Sequence, residues 1–213
     1  MKAISSKCAS LSLGILLAGA LSSTAVLAQS PSSSTQSPSD PSIAQRKENQ
    51  QDRIANGIKS GQLTAGETSH LETKEAAING ETRADRAANG GKLTAAEKTQ
   101  INNQQNHLSK QIYQDKHNTN TAQYSNTKVG QRRENQQDRI AQGVKSGQLT
   151  AGETAKLENQ QKGINQQVAA DRKANGGTLT KGEKAQVNHQ QNQASKNIYN
   201  KKHNSTTQGG PRM

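Results

Sequence analysis

The sequence predicts an all-α protein made of two tandem three-helix units, arranged as elongated helix-turn-helix hairpins. The first supporting observation is a duplication: residues 46–118 recur as residues 132–204 at a constant offset of 86, and 47 of the 73 paired positions are identical. The second is a turn signal that occurs four times, and the third is the helical spacing of the few apolar residues. Because the chain repeats one unit, we expect a functional group of residues to occur twice.

Each unit carries the turn signal twice, as glycine, any residue, leucine, threonine, two residues and glutamate. At its first occurrence, Gly61 can adopt the left-handed conformation that ends a helix, and Thr64 can cap the next helix. Glu67, three residues after the threonine, can complete a reciprocal capping box. The signal returns at residues 91–97, 147–153 and 177–183. It therefore predicts a helix end followed by a helix start at four places.

These boundaries define three helices in the first unit, at residues 46–60, 64–88 and 94–117. Apolar residues recur within the helices at steps of four and seven, which places them along one face. We therefore predict a hydrophobic seam of Ile54, Ile58, Leu71, Ile78, Ile101, Leu108 and Ile112, matched in the second unit by Ile140, Val144, Leu157, Ile164, Val187 and Ile198. Tyr113 and Tyr199, next to the last seam position of each unit, are predicted to close the hydrophobic cluster.

The composition predicts a small core. Leu, Ile and Val supply 20 of the 185 residues after position 28, and the chain has no Phe or Trp. This share is about 11%, below the roughly 20% at which disorder becomes the usual expectation. Ordering the backbone costs about 1–2 kcal/mol per residue, so we expect low stability, to which self-association could add buried surface.

Residues 1–28 have the features of a cleaved signal peptide. Lys2 and Lys7 flank the start of an apolar stretch, and Val26 and Ala28 suit the −3 and −1 positions of a signal peptidase site. Cys8, the single cysteine, would leave with this segment. We therefore expect a periplasmic or secreted protein with no transmembrane segment after cleavage, because the apolar run is too short to span a bilayer.

Three further segments lack apolar periodicity. Residues 29–45 are rich in serine and proline and are predicted to form a disordered linker. Residues 119–131 are predicted to link the two helical repeats, which occupy residues 46–118 and 132–204. Residues 205–213 are predicted to form a disordered tail.

The four turns also resemble EF-hand calcium loops. Residues 56–67 place glycine at the sixth position and glutamate at the twelfth, as an EF-hand does. Positions one, three and five, which should supply oxygen ligands, hold Asn56, Ile58 and Ser60. Because calcium takes six to eight oxygen ligands, we interpret the glutamates as capping residues and predict no metal and no cofactor. The weak candidate ligands are Glu67, Glu97, Glu153 and Glu183.

Several short motifs mark each unit. They are NQQDRI at residues 49–54, SGQLT at 60–64, NGGKLT at 89–94, and an Ile-Tyr pair at 112–113 that leads to Lys-His-Asn at 116–118. This pattern resembles a type of small exported bacterial helical-repeat protein of uncharacterised function, and the resemblance covers nearly all of the chain after residue 28. It implies helical structure and export, and it carries no chemistry that could be transferred to particular residues.

No catalytic group meets the requirement of occurring in both units. Of the five histidines only His117 and His203 recur, and a histidine at a helix end is typical of a cation beside the negative end of the helix dipole. Ser109 and Ser195 also recur, but without the base and orienting group that a nucleophilic serine needs. We therefore predict no catalytic residues and no enzymatic activity.

Charge and hydropathy lead to the functional hypotheses. A net charge of +12 and a mean hydropathy of −1.02 favour attraction to anionic envelope polymers, whereas the lack of stacking aromatics argues against nucleic-acid binding. We prefer a non-enzymatic exported helical repeat protein, an envelope or extracellular interaction module whose ligand the sequence does not specify. The alternatives are a hydrophilin-like stress protectant and a degenerate EF-hand-like calcium-responsive module. Four well-defined helix boundaries favour the first, since a protectant does not need them.

Overall fold

The structure, a computed structural model, describes residues 41–209. This part of the chain forms six helices and no strand, and helices account for 76% of it. The all-α class is therefore confirmed. The proposed signal peptide, residues 29–40 of the proposed linker, and residues 210–213 of the proposed tail lie outside the described residues. The helices are α1 Pro41–Lys59, α2 Ala65–Ala88, α3 Ala95–Lys116, α4 Lys128–Lys145, α5 Ala151–Ala174 and α6 Lys181–Lys202.

All four predicted capping boxes are present. At the start of α2, the backbone N–H of Glu67 donates to Thr64 Oγ1 at 3.3 Å, and the backbone N–H of Thr64 donates to Glu67 Oε2 at 2.9 Å. The same reciprocal pair opens α3, α5 and α6 at Thr94, Thr150 and Thr180. Gly61 and Gly147 precede these caps with φ of 70° and 64°, a region that costs little energy only for glycine. The predicted helix boundaries at the turns are confirmed.

Every residue of the predicted hydrophobic seam is buried. Ile54, Leu71 and Ile101 have no exposed surface, and the turn residues Leu63 and Leu149 are buried with them. Because each buried Leu or Ile contributes about 1.5–3 kcal/mol, these side chains supply most of the free energy that holds the helices together.

The two units pack against each other. Helix α2 lies along α5 and α1 lies along α4, and one hydrophobic cluster contains Ile54 of the first unit together with Ile140 of the second. The hydroxyl of Ser69 on α2 donates to the carbonyl oxygen of Ala155 on α5 at 3.2 Å. A smaller cluster in the second unit contains Ile164 and Val187. The sequence left the packing of the units open, and in the structure they share one core.

The predicted role of the two tyrosines is wrong. Tyr113 and Tyr199 are 59% and 56% exposed, and they stack on His117 and His203 with ring centroids 4.2 and 4.1 Å apart. Each tyrosine follows the last seam residue by one position, which is about 100° around the helix. That rotation carries the ring away from the core and onto the solvent-facing surface.

Helices α1 and α4 begin earlier than the sequence predicted. Helix α1 starts at Pro41 and α4 at Lys128, so residues 41–45 and 128–131 are helical rather than linker. Ile43 is 5% exposed, and Val129, at the paired position, packs against the second-unit cluster. Packing of this one apolar side chain against the rest of the protein stabilises an additional helical turn at the start of each helix.

The first residues of the predicted tail contact the first turn of the second unit. The backbone N–H of Gln208 donates to the carbonyl oxygen of Gly147 at 3.0 Å, just as Ala122 N–H donates to Gly61 at 2.8 Å. Lys47 Nζ also donates to the carbonyl oxygen of Gln208 at 2.7 Å. In both units, therefore, the segment after the third helix returns to the first turn of its own unit.

Candidate functional site

The four weak metal-ligand candidates lie in the capping boxes. Glu67 Oε2 accepts hydrogen bonds from the N–H and the hydroxyl of Thr64, and its Oε1 accepts from Asn118 Nδ2 at 2.7 Å. Partial burial acts to raise the pKa of Glu67, but the hydrogen bonds from Thr64, Asn118 and Asn120 together bring it below its ordinary value. Both oxygens of this carboxylate are therefore occupied by donors from its own unit.

The other three glutamates have similar partners. Glu153 accepts from Thr150 and Asn204, and Glu97 and Glu183 each accept two hydrogen bonds from an asparagine side chain near the preceding helix end. Within residues 41–209, no group of three or more His, Cys, Asp or Glu side chains is placed to hold a metal ion. All four glutamates complete a capping box, and Glu67 and Glu153 also bind the segment that follows the third helix of their unit.

The recurring serines take part in a buried glutamine network. The amide nitrogen of Gln50 donates to Ser109 Oγ at 2.8 Å and to the carbonyl oxygen of Gln105 at 2.7 Å. Gln136 makes the equivalent pair of bonds in the second unit, with Ser195 Oγ at 2.7 Å. Both serines therefore tie the first helix of a unit to its third helix.

A group of buried carboxyl groups lies where α2 packs along α5, and the sequence did not reveal it. Glu72, Glu75 and Glu158 have no exposed surface. Gln51 Nε2 donates to Glu72 Oε2 at 3.0 Å, and Gln137 Nε2 donates to Glu158 Oε2 at 2.9 Å. One oxygen of each carboxyl has no hydrogen-bond partner among the described residues. A proton on each carboxyl would remove the buried charge.

The surroundings of these buried carboxyls favour their protonated form. Burial raises the pKa of Glu158 to about 8, and the hydrogen bond from Gln137 only partly offsets this. Burial likewise raises the pKa of Glu75 to about 7, against the attraction of Lys47. The pKa of Glu72 is raised well above its ordinary value, first by burial and then by the nearby carboxyls of Glu75 and Glu158. Burial at the contact between the units therefore favours the protonated form of these carboxyl groups.

A groove of about 430 Å³ opens beside this contact and is the candidate binding site. It lies where the first turn of α2, the segment between α3 and α4, the first half of α4 and the middle of α5 meet. Its lining carries two cations, Arg133 and Lys162, and no acidic residue. The remaining lining residues are Thr64, Ala65, Gly66, Thr121, Ala122, Gln123, Tyr124, Gln137, Asn165 and Gln166.

The groove side chains are partly fixed in place. The guanidinium of Arg133 lies 4.9 Å from the centroid of the Tyr124 ring and donates to the carbonyl oxygen of Gln123. Its Nε has no hydrogen-bond partner among the described residues. Burial raises the pKa of Tyr124 to about 12, and the positive charge of Arg133 only partly offsets this. The groove lining thus carries positive charge and an unpaired donor, while the carboxyls of Glu158, Asp138 and Glu134 lie close enough to affect Tyr124.

The groove was not predicted from the sequence. Its residues come from four separated segments, and the motifs to which Thr64 and Gln137 belong predict a helix cap and a helix, not a shared cavity. One difference between the units could have pointed to the groove. Lys162 of the second unit is paired with Ala76 of the first, whereas Arg133 is paired with another cation, Lys47.

Comparison with known proteins adds no family to this description. No protein-family model matches the chain, and neither a curated protein nor a solved structure matches it. Among residues 41–209, none of the helices combines the length and apolar character needed to cross a membrane. The candidate site is therefore defined by its own geometry and charge.

Proposed function

We propose that this chain is an exported, non-enzymatic interaction module that binds an anionic partner of the cell envelope. The observation that carries the proposal is the groove, whose lining includes Arg133 and Lys162 and no acidic residue. After residues 1–28 are removed with Lys2 and Lys7, the chain keeps a net charge of 26 − 16 = +10, which attracts polyanions in general, and a concave site lined by cations concentrates that attraction at one place.

The order of the groove supports a binding module over a hydrated stress protectant. A protectant of the hydrophilin type acts while hydrated and partly disordered, and needs no fixed arrangement of side chains. Here Arg133 is held by Tyr124 and Gln123, while Gln137 is held by Glu158. Such prior ordering lowers the entropy cost of binding.

Export is proposed from residues 1–28, and it can be tested separately. The full chain would be expressed with a C-terminal tag, and the cells fractionated. We expect the tagged protein in the periplasm or the medium, with Gln29 as its first residue by mass spectrometry. An intact N-terminus in the cytoplasmic fraction would contradict export.

Binding is tested by co-sedimentation of residues 29–213 with lipopolysaccharide and with purified anionic wall polymers. The informative variant is Lys162→Glu, and the matched control is Lys184→Glu, which makes the same charge reversal at an exposed position on α6 outside the groove lining. We expect binding that weakens at about 0.5 M salt, where charges are screened within a few Å. Lys162→Glu should weaken it several-fold more than Lys184→Glu.

Two results would count against the proposal. One is the absence of binding to every polyanion at low salt. The other is a protein that is mostly coil under the conditions of the assay, which would favour the protectant.

A further inference from the structure

The two units differ at one buried hydrogen bond between their first and second helices. In the second unit, Gln161 on α5 donates from Nε2 to Oε1 of Gln136 on α4 at 3.1 Å, and both side chains are buried. The residues at the paired positions of the first unit are Glu75 on α2 and Gln50 on α1. The first unit therefore has a carboxyl group where the second has an amide donor.

The equivalent pair in the first unit consists of two acceptors. Glu75 has no exposed surface, and Gln50 is 1% exposed. Among the described residues, neither Glu75 Oε2 nor Gln50 Oε1 has a hydrogen-bond partner. The amide of Gln50 is held in its orientation because its Nε2 donates to the carbonyl oxygen of Gln105 at 2.7 Å. A buried acceptor without a donor is rare in folded proteins, and here two occur at paired places.

We infer that Glu75 supplies the missing donor as a carboxylic acid, with a proton on Oε2 that is donated to Gln50 Oε1. Asn79 Nδ2 donates to the other oxygen, Oε1, at 3.3 Å, which leaves Oε2 to carry the proton. When the pH rises, the proton passes to solvent and two acceptors are left facing each other. The first unit thus has a pH-sensitive hydrogen bond between α1 and α2, whereas the amide bond of the second unit does not titrate. This inference does not rest on the proposed function.

The charges around Glu75 act in both directions. Burial raises the pKa of Glu75 to about 7 and outweighs the attraction of Lys47 on α1. Glu72 on α2 interacts with Glu75 and with Glu158 on α5, and the α3 groups that bond to Gln50 are neutral. Because the pKa is raised, the hydrogen bond is complete at about pH 5 and is lost as the pH rises through about 7.

The test follows ¹⁵N-labelled residues 29–213 by NMR from about pH 5 to about pH 9. We expect the side-chain amide signals of Gln50 to shift with a midpoint near pH 7, since they report the loss of the adjacent proton. Glu75→Gln should abolish this shift. Glu72→Gln neutralises the neighbouring buried carboxyl and is the matched control, which should leave the shift in place. Circular dichroism checks that each variant is folded.

Hydrogen exchange shows whether the response is confined to one unit. On going from about pH 5 to about pH 9, the amides of α1 around Gln50 should lose roughly tenfold more protection than those of α4 around Gln136. In Glu75→Gln the two helices should respond alike. The reverse change, Gln161→Glu, should give α4 the pH response that α1 has in the wild type.

Infrared spectroscopy tests the proton directly. At about pH 5 the carbonyl band of protonated carboxyl groups should be weaker in Glu75→Gln than in the wild type. An unchanged band, or a Gln50 signal that still titrates in folded Glu75→Gln, would overturn the inference. Equal loss of protection in α1 and α4 of the wild type would do the same. So would an NMR cross-peak at low pH between the Gln50 side chain and a long-lived buried water, because the water would then be the donor.

Discussion

Glu72 and Glu158 occupy paired positions on α2 and α5, 86 residues apart, and both are completely buried where these helices meet. Each accepts one hydrogen bond, Glu72 from Gln51 and Glu158 from Gln137. Burial is the main cause that raises the pKa of both carboxyls, and the nearby carboxyls of Glu75 and Glu158 raise that of Glu72 further. The contact between the two units is therefore coupled to proton binding.

The first prediction is that the folded state loses stability as the pH rises. The buried carboxyls have pKa values above the ordinary range, about 7 for Glu75 and about 8 for Glu158, so the folded chain keeps protons that the unfolded chain releases. The free energy of unfolding should be highest near pH 5 and fall up to about pH 8, by at most about 1.4 kcal/mol per pH unit for each group. Urea unfolding monitored by circular dichroism at several pH values measures this.

At acidic pH the free energy of unfolding changes with pH in the opposite direction. Partial burial acts to raise the pKa values of Glu67 and Glu153, but hydrogen bonds from the capping threonines and from Asn118 and Asn204 outweigh it and lower both values. Their contribution is present above the ordinary carboxyl pKa and is lost as the pH falls through the lowered value. A stability that rises steadily from pH 5 to pH 8 would contradict the buried, protonated state of the α2–α5 contact.

The second prediction concerns Glu75, whose paired residue in the second unit is Gln161. The change Glu75→Gln keeps the size of the side chain and removes the group that must be protonated. We expect it to be nearly neutral at pH 5 and to stabilise the protein at pH 8.5, because the carboxylate no longer has to be buried with a charge. The reverse change, Gln161→Glu, is the matched control and should destabilise at pH 8.5. Unfolding free energies at the two pH values give both results.

The third prediction concerns the caps. Thr150→Ala removes the side chain that accepts from Glu153 N–H at 3.3 Å, and it should cost about 1 kcal/mol of stability. Thr150→Ser keeps the hydroxyl and should cost much less. If urea unfolding shows the same loss of stability for both variants, the methyl group of Thr150 and not its capping hydroxyl provides the stabilisation.

The fourth prediction compares two glycines of the second unit. A Cβ on Gly143 would lie 2.6 Å from Cδ1 of buried Leu149, so Gly143→Ala should overpack the core and cost about 1–3 kcal/mol. Gly163, inside α5, has nothing within 4 Å of an added Cβ, and Gly163→Ala should stabilise the helix by about 0.5–1 kcal/mol. The midpoint temperature of thermal unfolding should therefore fall for Gly143→Ala and rise for Gly163→Ala.

The local features of this fold could be read from the sequence. A turn such as residues 61–67 depends on groups only a few positions apart, so its pattern predicts the cap directly. The seam was also predictable, because Ile54 and Leu71 stand out in a polar chain and repeat with helical spacing.

The contacts between distant segments could not be read in this way. Glu72 lies in the core while many other carboxylates are solvated, and the residue type does not distinguish the two cases. The early start of α1 depends on Ile43, and the fixed position of Gln208 depends on Gly147. The groove needs four segments at once, which the packing of α2 along α5 and of α4 against α5 brings together.

The most direct test of the account is the urea unfolding of residues 29–213 near pH 5, followed by circular dichroism and by the NMR signals of both units. If α2 and α5 share one core, the helical signal should be high in buffer, and the amides of the two units should disappear in a single cooperative transition. A mostly coil spectrum in buffer, or separate transitions for residues 41–123 and 127–209, would contradict the account.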